Sequence, residues 1–230
     1  MGSIKQMTQR VLWLEGGKQR MFDSTDIVCE AYFNEQLLLQ NEMNKNFVLD
    51  DNVVNQKIIS SNKKDVFPKL MVSGKPVLHD EVIIKSFYIE DKDDNIVEYL
   101  RVDNEYKAVF LVEFSKEFDN IILGFVLENN KGVQILGINS FINNDEQMIM
   151  INKPCILKAE FKFVLPRILK GEYLLSPAVA QGNQNKNIIL TWLPAVKNIT
   201  IENVGYNLSL LEIASNIELE KYEINDVTFL

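Results

Sequence analysis

The side chains equipped for chemistry are few and scattered. Glu113, Glu128, Glu160 and Glu172 are the carboxylates from which an acid/base pair for glycoside hydrolysis could be drawn, because that reaction needs two acids flanking the scissile bond. Each falls where an apolar/polar alternation turns its polar residue outward, so a solvated strand face is the preferred account of it. The sequence holds one histidine, His79, which removes histidine-based metal clusters and leaves a Ser-His-Asp triad without support. It stands just ahead of an apolar run, as a surface residue would. Two cysteines occur, Cys29 and Cys155, too far apart to read as a disulfide framework or metal knuckle. Cys155, after Pro154 in an apolar stretch, reads as a small buried side chain. No metal site and no cofactor is expected.

No GxxxxGK[ST] loop and no GxGxxG occurs, so the peptide cradle for a nucleotide's phosphates is missing. The segment LEGGKQ (14–19) superficially resembles the signature loop of a transport ATPase. Its glycines, however, join two short strands instead of opening a long helix.

The elements that must position these residues divide the chain unequally. Val11 to Leu14 and Gln19 to Phe22 read as a hairpin about Glu15-Gly16-Gly17-Lys18. Asp23-Ser24 offers capping oxygens to a helix over Thr25 to Tyr32, with Ile27, Val28, Ala31 and Tyr32 on one face. From Phe33 to about Lys64 the composition turns polar, a helical extension fading into a linker. Pro68, Gly74 and Pro76 favour extended edge structure up to His79.

After Glu81 a period of two dominates. Strands are expected over Glu81 to Glu90, Ile96 to Val102, Tyr106 to Ser115, Asn120 to Glu128, Val133 to Phe141, Ile156 to Val164, Glu172 to Ala180 and Ile188 to Leu193. Residues 200 to 230 add one or two more, with a helical turn near Leu208 to Ser215. The first of these has apolar residues on both faces, or a bulge. The clearest alternation is Tyr106, Ala108, Phe110, Val112 and Phe114; another sets Leu157, Ala159, Phe161 and Phe163 against Lys158, Glu160 and Lys162. Short strands at roughly 8–12-residue spacing imply a mainly β fold. We therefore expect an antiparallel β-sandwich, immunoglobulin-like or jelly-roll, carrying a short N-terminal hairpin-helix appendage. The expected division is 1–33 for the appendage, 34–65 for the linker and 66–230 for the sandwich.

Bulk composition narrows the function classes. The chain has 230 residues, 47% hydrophobic and 24% charged, enough for one sizeable core and too apolar for disorder. A formal charge of −8, with lysines and arginines scattered, argues against a nucleic-acid partner. No apolar run approaches the roughly 18–20 residues that cross a bilayer, and the N-terminus lacks a signal-peptide pattern. A reducing cytoplasm fits the cysteine usage best. Met1-Gly2-Ser3 has the look of an expression leader, with native sequence expected to extend further upstream.

Two stretches carry a family resemblance. QRVLWLEGGKQRMFDSTDIVCEAYF (9–33) resembles the closing hairpin and helix of the ATPase domain of Wzt, the nucleotide-binding subunit of the ABC transporters that export lipopolysaccharide O-antigen. IKSFYIEDKDDN (84–95), ILGFVLENNKGVQILGINS (122–140) and LKGEYLLSPAV (169–179) are similar, in order, to the C-terminal sandwich of that family. The likeness runs from Gln9 to about Ile201 and departs from the whole family protein in lacking every ATP-handling motif. It implies a noncatalytic carbohydrate-binding module that recognises the modified non-reducing end of a completed O-antigen polysaccharide. It also implies a homodimer, partnered through the ATPase domain with a transmembrane permease at the cytoplasmic face of the bacterial inner membrane.

A sugar is held by hydrogen bonds to its hydroxyls and by an apolar or aromatic surface against its C–H face. On that chemistry Trp192 is the candidate platform, with Asn139, Gln181 and Ser176 as hydroxyl partners. Lys158 and Lys162 could meet an anionic terminal group. Trp192 also suits a core position, and the two lysines an ordinary solvated strand face. The alternatives are a sandwich that only mediates dimerisation or docking, and a glycan-active hydrolase using paired carboxylates.

Overall fold

In the computed structural model, residues 2–44, 67–68, 70, 76–142, 149–203 and 211 are described. The chain opens with α1 (Gly2–Met7), the hairpin strands β1 (Arg10–Glu15) and β2 (Lys18–Ser24), and α2 (Thr25–Asn44). The sandwich follows as β3 (Val82–Asp91), β4 (Tyr99–Arg101), β5 (Glu105–Phe114), β6 (Phe118–Asn129), β7 (Gln134–Asn139), β8 (Ile149–Ile151), β9 (Cys155–Val164), β10 (Gly171–Gly182), β11 (Asn187–Trp192) and β12 (Lys197–Glu202).

Two sheets face each other. The smaller has the order β3-β5-β9; the larger runs β4-β12-β10-β6-β7, with β11 paired to β10 and β8 to β6. Pairing is antiparallel throughout except where β12 meets β4 in parallel. The fold is thus the expected mainly β sandwich.

Alternation explains the core. Ala108, Phe110, Val112 and Phe114 of β5 are all at most 1% exposed. They face Ile121, Leu123, Phe125 and Leu127 of β6 across the sandwich. Phe87, Phe110, Phe161 and Phe125 form a contiguous ring cluster, with Phe87 and Phe110 centroids 4.6 Å apart and Phe125 within 5.6 Å of Phe87. Because Phe125 belongs to the larger sheet and the others to the smaller, this cluster joins the two layers. Such contacts add about 0.5–1.5 kcal/mol each beyond area burial. The buried Thr191 hydroxyl adds a polar tie, donating to the Val82 carbonyl at 2.6 Å.

The ambiguous first strand resolves into a bulge. The register of β3 on β5 shifts between Ile84 and Ser86, so Val82, Ile84, Phe87 and Ile89 all enter the core although a strict period of two cannot place them together.

Several expected boundaries move. The helix read over 25–32 continues to Asn44, and α1 takes in Gly2 and Ser3, read from sequence as leader. β4 keeps only Tyr99–Arg101 of the expected 96–102 run, and the short β8 lies where no strand was expected. Residues 45–66 and the helical turn expected near 208–215, Leu211 excepted, lie outside the described residues; Leu211 bridges Ile168. None of the described helices is long and apolar enough to cross a membrane.

The appendage is strapped to itself and to the sandwich. Trp13 packs edge-on against Tyr32 with centroids 5.3 Å apart, and Arg20 reaches Glu35 at 3.1 Å. Phe33 of α2 then lies 5.9 Å from Trp192 of β11.

Candidate functional site

Register places part of the nominated set in one line. Asn139 on β7 pairs with Gly124 on β6, Gly124 with Ala178 on β10, and Ala178 with Trp192 on β11. These residues form a single cross-strand row on the outer face of the larger sheet. With strands about 4.8 Å apart, Asn139 and Trp192 stand roughly 14 Å from each other. Ser176 belongs to the same face, two positions from Ala178 along β10.

The immediate surroundings of these side chains are specific. Trp192 is half-buried beneath Phe33 of α2, and its backbone bridges Val77 in both directions at 2.9 Å. Asn139 donates to the Gln184 side chain at 3.1 Å and accepts the Ile142 N–H at 2.8 Å. It therefore reaches the β10–β11 turn into which Gln181 leads. Gln181 pairs with Ile121 and so has the core-facing parity, at the very end of β10. Ser176 is fully buried; its hydroxyl donates to Glu128 at 3.0 Å and accepts the Ala195 N–H at 2.9 Å. Burial raises the Glu128 carboxyl above its usual range, opposed by the Ser176 hydrogen bond and the nearby Lys5 ammonium.

Lys158 and Lys162 lie elsewhere, on the exposed face of β9 in the smaller sheet. Lys158 pairs with Glu160 at 2.8 Å, which lowers the Glu160 carboxyl and raises the Lys158 ammonium. The structure thus separates the lysines from the Trp192 row by the thickness of the sandwich. The four carboxylates considered for hydrolysis are also dispersed. Glu113 pairs with Lys85 at 2.6 Å and Glu160 with Lys158 on the smaller sheet. On the larger sheet, Glu172 accepts from Thr200 at 2.8 Å and Glu128 from Ser176. His79 is half-buried, its Nδ1 accepting the Glu81 N–H at 3.1 Å and its ring edge-on to Phe118. Cys29 is buried and Cys155 partly so, with burial pushing the Cys155 thiol up. No group of metal-ligating side chains occurs among the described residues.

A depression of about 570 Å³ opens at one end of the sandwich, lined by residues of both sheets. It is lined by the β3–β4 loop, by β4 and the end of β12, and by Asp103 to Tyr106. Tyr99, 71% exposed, is among the lining residues. The walls are fixed by local bonds. Asp91 Oδ1 accepts the N–H groups of Asp93 and Asn95, both at 2.9 Å, closing the β3–β4 loop; these bonds hold the Asp91 carboxyl below its usual range. The Arg101 N–H donates to the Tyr106 phenol oxygen at 2.8 Å. Arg101 Nε meets Glu202 at 3.1 Å, and Arg167 meets Asp103 at 2.7 Å. Asp103 carries the tight β4–β5 turn at φ 63°.

Residues 79–210 match the family profile described as the Wzt C-terminal domain. The chain belongs to the Wzt C-terminal domain family. A crystal structure of the C-terminal domain of Wzt is similar in fold, at 17% identity and a TM-score of 0.60, covering 66% of this chain and 92% of that one. The CARDB domain of the PF1109 protein from Pyrococcus furiosus, solved with di-metal ions, gives 10% identity, a TM-score of 0.28 and coverage of 54% of this chain and 92% of that one. The second likeness is too slight to bear on fold or function. No curated protein matches the chain. Membership in the Wzt C-terminal domain family supports a carbohydrate-binding domain of an ABC exporter.

Within this Wzt-type sandwich, sequence reasoning missed the end depression altogether. Tyr99 and Arg101 fall inside the strand expected over 96–102 and Asp103 and Asn104 in the gap after it, with no role assigned to any of them, and Glu202 is contributed by a strand a hundred positions away. The one available signal was the phase of Tyr99, which with Arg101 alternates against Val102 and the buried Leu100 and so belongs to the outward face of a short strand.

Proposed function

We propose that this chain is a noncatalytic module that recognises the modified non-reducing end of a completed O-antigen polysaccharide and thereby marks it for export. The observation that carries the reading is the match of residues 79–210 to the Wzt C-terminal domain. A rigid two-layer sandwich with joined cores suits the task, since a polysaccharide end is best recognised by a surface that does not have to be ordered on binding. In this reading the protein acts at the cytoplasmic face of the inner membrane as a homodimer. Its permease partner is reached through an ATPase domain whose closing hairpin and helix residues 9–33 resemble. Asn139 and Gln181 would contribute near the β10–β11 turn, Trp192 at the far end of the row, Ser176 by fixing Glu128 and the segment at Ala195 on that face, and Lys158 and Lys162 by meeting anionic groups on the opposite face. Titrating isolated polysaccharide into the protein tests this: binding is expected, and is expected to be lost when the terminal modification is removed. Binding that survives that removal overturns recognition of the terminus.

One observation favours a second reading for part of the surface. Phe33 covers Trp192, and Asn41 grips the same strand at Ile189, so the Trp192 end of the row serves docking of the appendage. Under a purely docking function, substitutions on the exposed polar faces would leave export intact while substitutions at this joint disturb assembly.

A further inference from the structure

We propose that the depression at the end of the sandwich is a binding subsite for an uncharged hexose ring, with Tyr99 as its stacking platform. This rests on the reading of the chain as a glycan-binding module and adds to it a location and a class of sugar. Three observations carry it together. The first is the aromatic residue: Tyr99, 71% exposed, lines a concavity of about 570 Å³, a volume within the range of small-molecule sites. Its neighbour Leu100 is 1% exposed, so the strand is anchored from beneath while the tyrosine is left outside. An aromatic side chain with few torsions offers contact area at small entropic cost.

The second is the nature of the polar groups around the ring. Carboxylates accept hydrogen bonds only, and so suit the hydroxyl donors of a sugar; the Asn104 amide and the Arg101 guanidinium supply the complementary donors. All of them border the same concavity.

The third is charge. The carboxylates of Asp91, Asp93, Asp103, Glu105 and Glu202 outnumber the lining cations Lys92 and Arg101; with Glu202 paired to Arg101 and Asp103 to Arg167, Asp91, Asp93 and Glu105 still exceed Lys92. A phosphate, sulfate or uronate would meet like charge there, whereas a neutral ring would not. The depression is also built in advance. Its walls are tied by the Asp91 loop bonds and by the Arg101 to Tyr106 bond, so little ordering is needed on binding.

The test uses the whole chain with methyl α-mannopyranoside, methyl β-galactopyranoside and sodium glucuronate as probes, read by saturation-transfer NMR, and the isolated polysaccharide, read by calorimetry. We expect saturation transfer to the ring protons of at least one neutral glycoside and none to glucuronate. Tyr99→Ala should weaken binding of that glycoside and of the polysaccharide by about tenfold, while Tyr99→Phe, which keeps the ring, should bind as wild type. An unchanged melting temperature for both variants would show that the fold is intact, as the exposure of Tyr99 leads us to expect. Polysaccharide binding that is equally tight in Tyr99→Ala overturns the subsite but leaves the glycan-binding reading standing. Glucuronate bound in preference to both neutral glycosides overturns the assigned sugar class. A wild-type protein that binds no polysaccharide overturns the glycan-binding reading, and this subsite with it.

Discussion

The side-chain amide of Asn41 closes two hydrogen bonds with the backbone of Ile189, donating to its carbonyl at 2.7 Å and accepting its N–H at 2.8 Å. One residue of α2 thus does for β11 what a neighbouring strand would do, satisfying the edge of the larger sheet. Asn41 is 8% exposed, so solvent replaces these bonds poorly if they are lost.

Asn41→Ala should therefore cost about 1–3 kcal/mol, the sum expected for two net hydrogen bonds on a shielded edge. Chemical denaturation would measure the loss. Hydrogen exchange at the Ile189 amide should accelerate well beyond any global effect, because its acceptor is gone. Unchanged exchange at that amide would show that α2 does not hold β11.

Gly124 allows β6 and β7 to approach closely. A β-carbon there would lie 2.8 Å from the Asn139 Cβ and 2.8 Å from the Ile138 carbonyl oxygen, and the second obstacle is backbone. Gly124→Ala should destabilise by about 1–3 kcal/mol through strand displacement and loosen β7 selectively. Urea unfolding together with amide exchange along 134–139 checks both expectations.

Glu128 gives a pH signature. Its folded-state pKa is raised above the unfolded value of 4.5, first by desolvation, so the folded protein binds a proton more readily than the unfolded chain. The stability contributed by the protonated form is fully present below about pH 4.5 and is lost as pH rises through the folded-state pKa. Glu128→Gln keeps an acceptor for the Ser176 hydroxyl and removes the charge. It should raise the melting temperature at pH 7 relative to wild type, and the gain should vanish at pH 4. A gain that is constant across that range would locate the effect elsewhere.

Tyr106 lines the end depression and ties β4 in place. Removing its phenol oxygen in Tyr106→Phe leaves the Arg101 N–H without its 2.8 Å acceptor, at a cost of about 1–3 kcal/mol. The core is unaffected in volume, so the fold should persist. Denaturation midpoints would report the loss, and glycan titration of the same variant should show weaker binding as β4 loses its fixed position.

What could be read in the sequence followed burial. Tyr106 to Phe114 alternates because β5 is the middle strand of its sheet and turns one face wholly into the core. The extra residue in β3, Lys85, blurred the same signal by shifting the phase half-way along. The far half of α2 was hard to read because it is held by individual contacts such as Asn41 and Phe33, without a continuous apolar stripe. Of the nominated sugar-binding residues, Asn139 and Trp192 share a row only because β7, β6, β10 and β11 happen to be neighbours in that register, which no local pattern encodes. Lys158 and Lys162 were legible as a polar strand face, and that is where they lie. The end depression was illegible because it depends on β4 meeting β12 in parallel, a pairing between residues a hundred positions apart.

That parallel pair also has a consequence for synthesis. The Arg101 to Glu202 contact can form only after nearly the entire sandwich has left the ribosome, and distant pairings of this kind are the slow ones to close. A nascent or prematurely terminated chain could collapse around its phenylalanines and still present no finished end depression. The end depression is therefore completed last, after the scaffold that carries it.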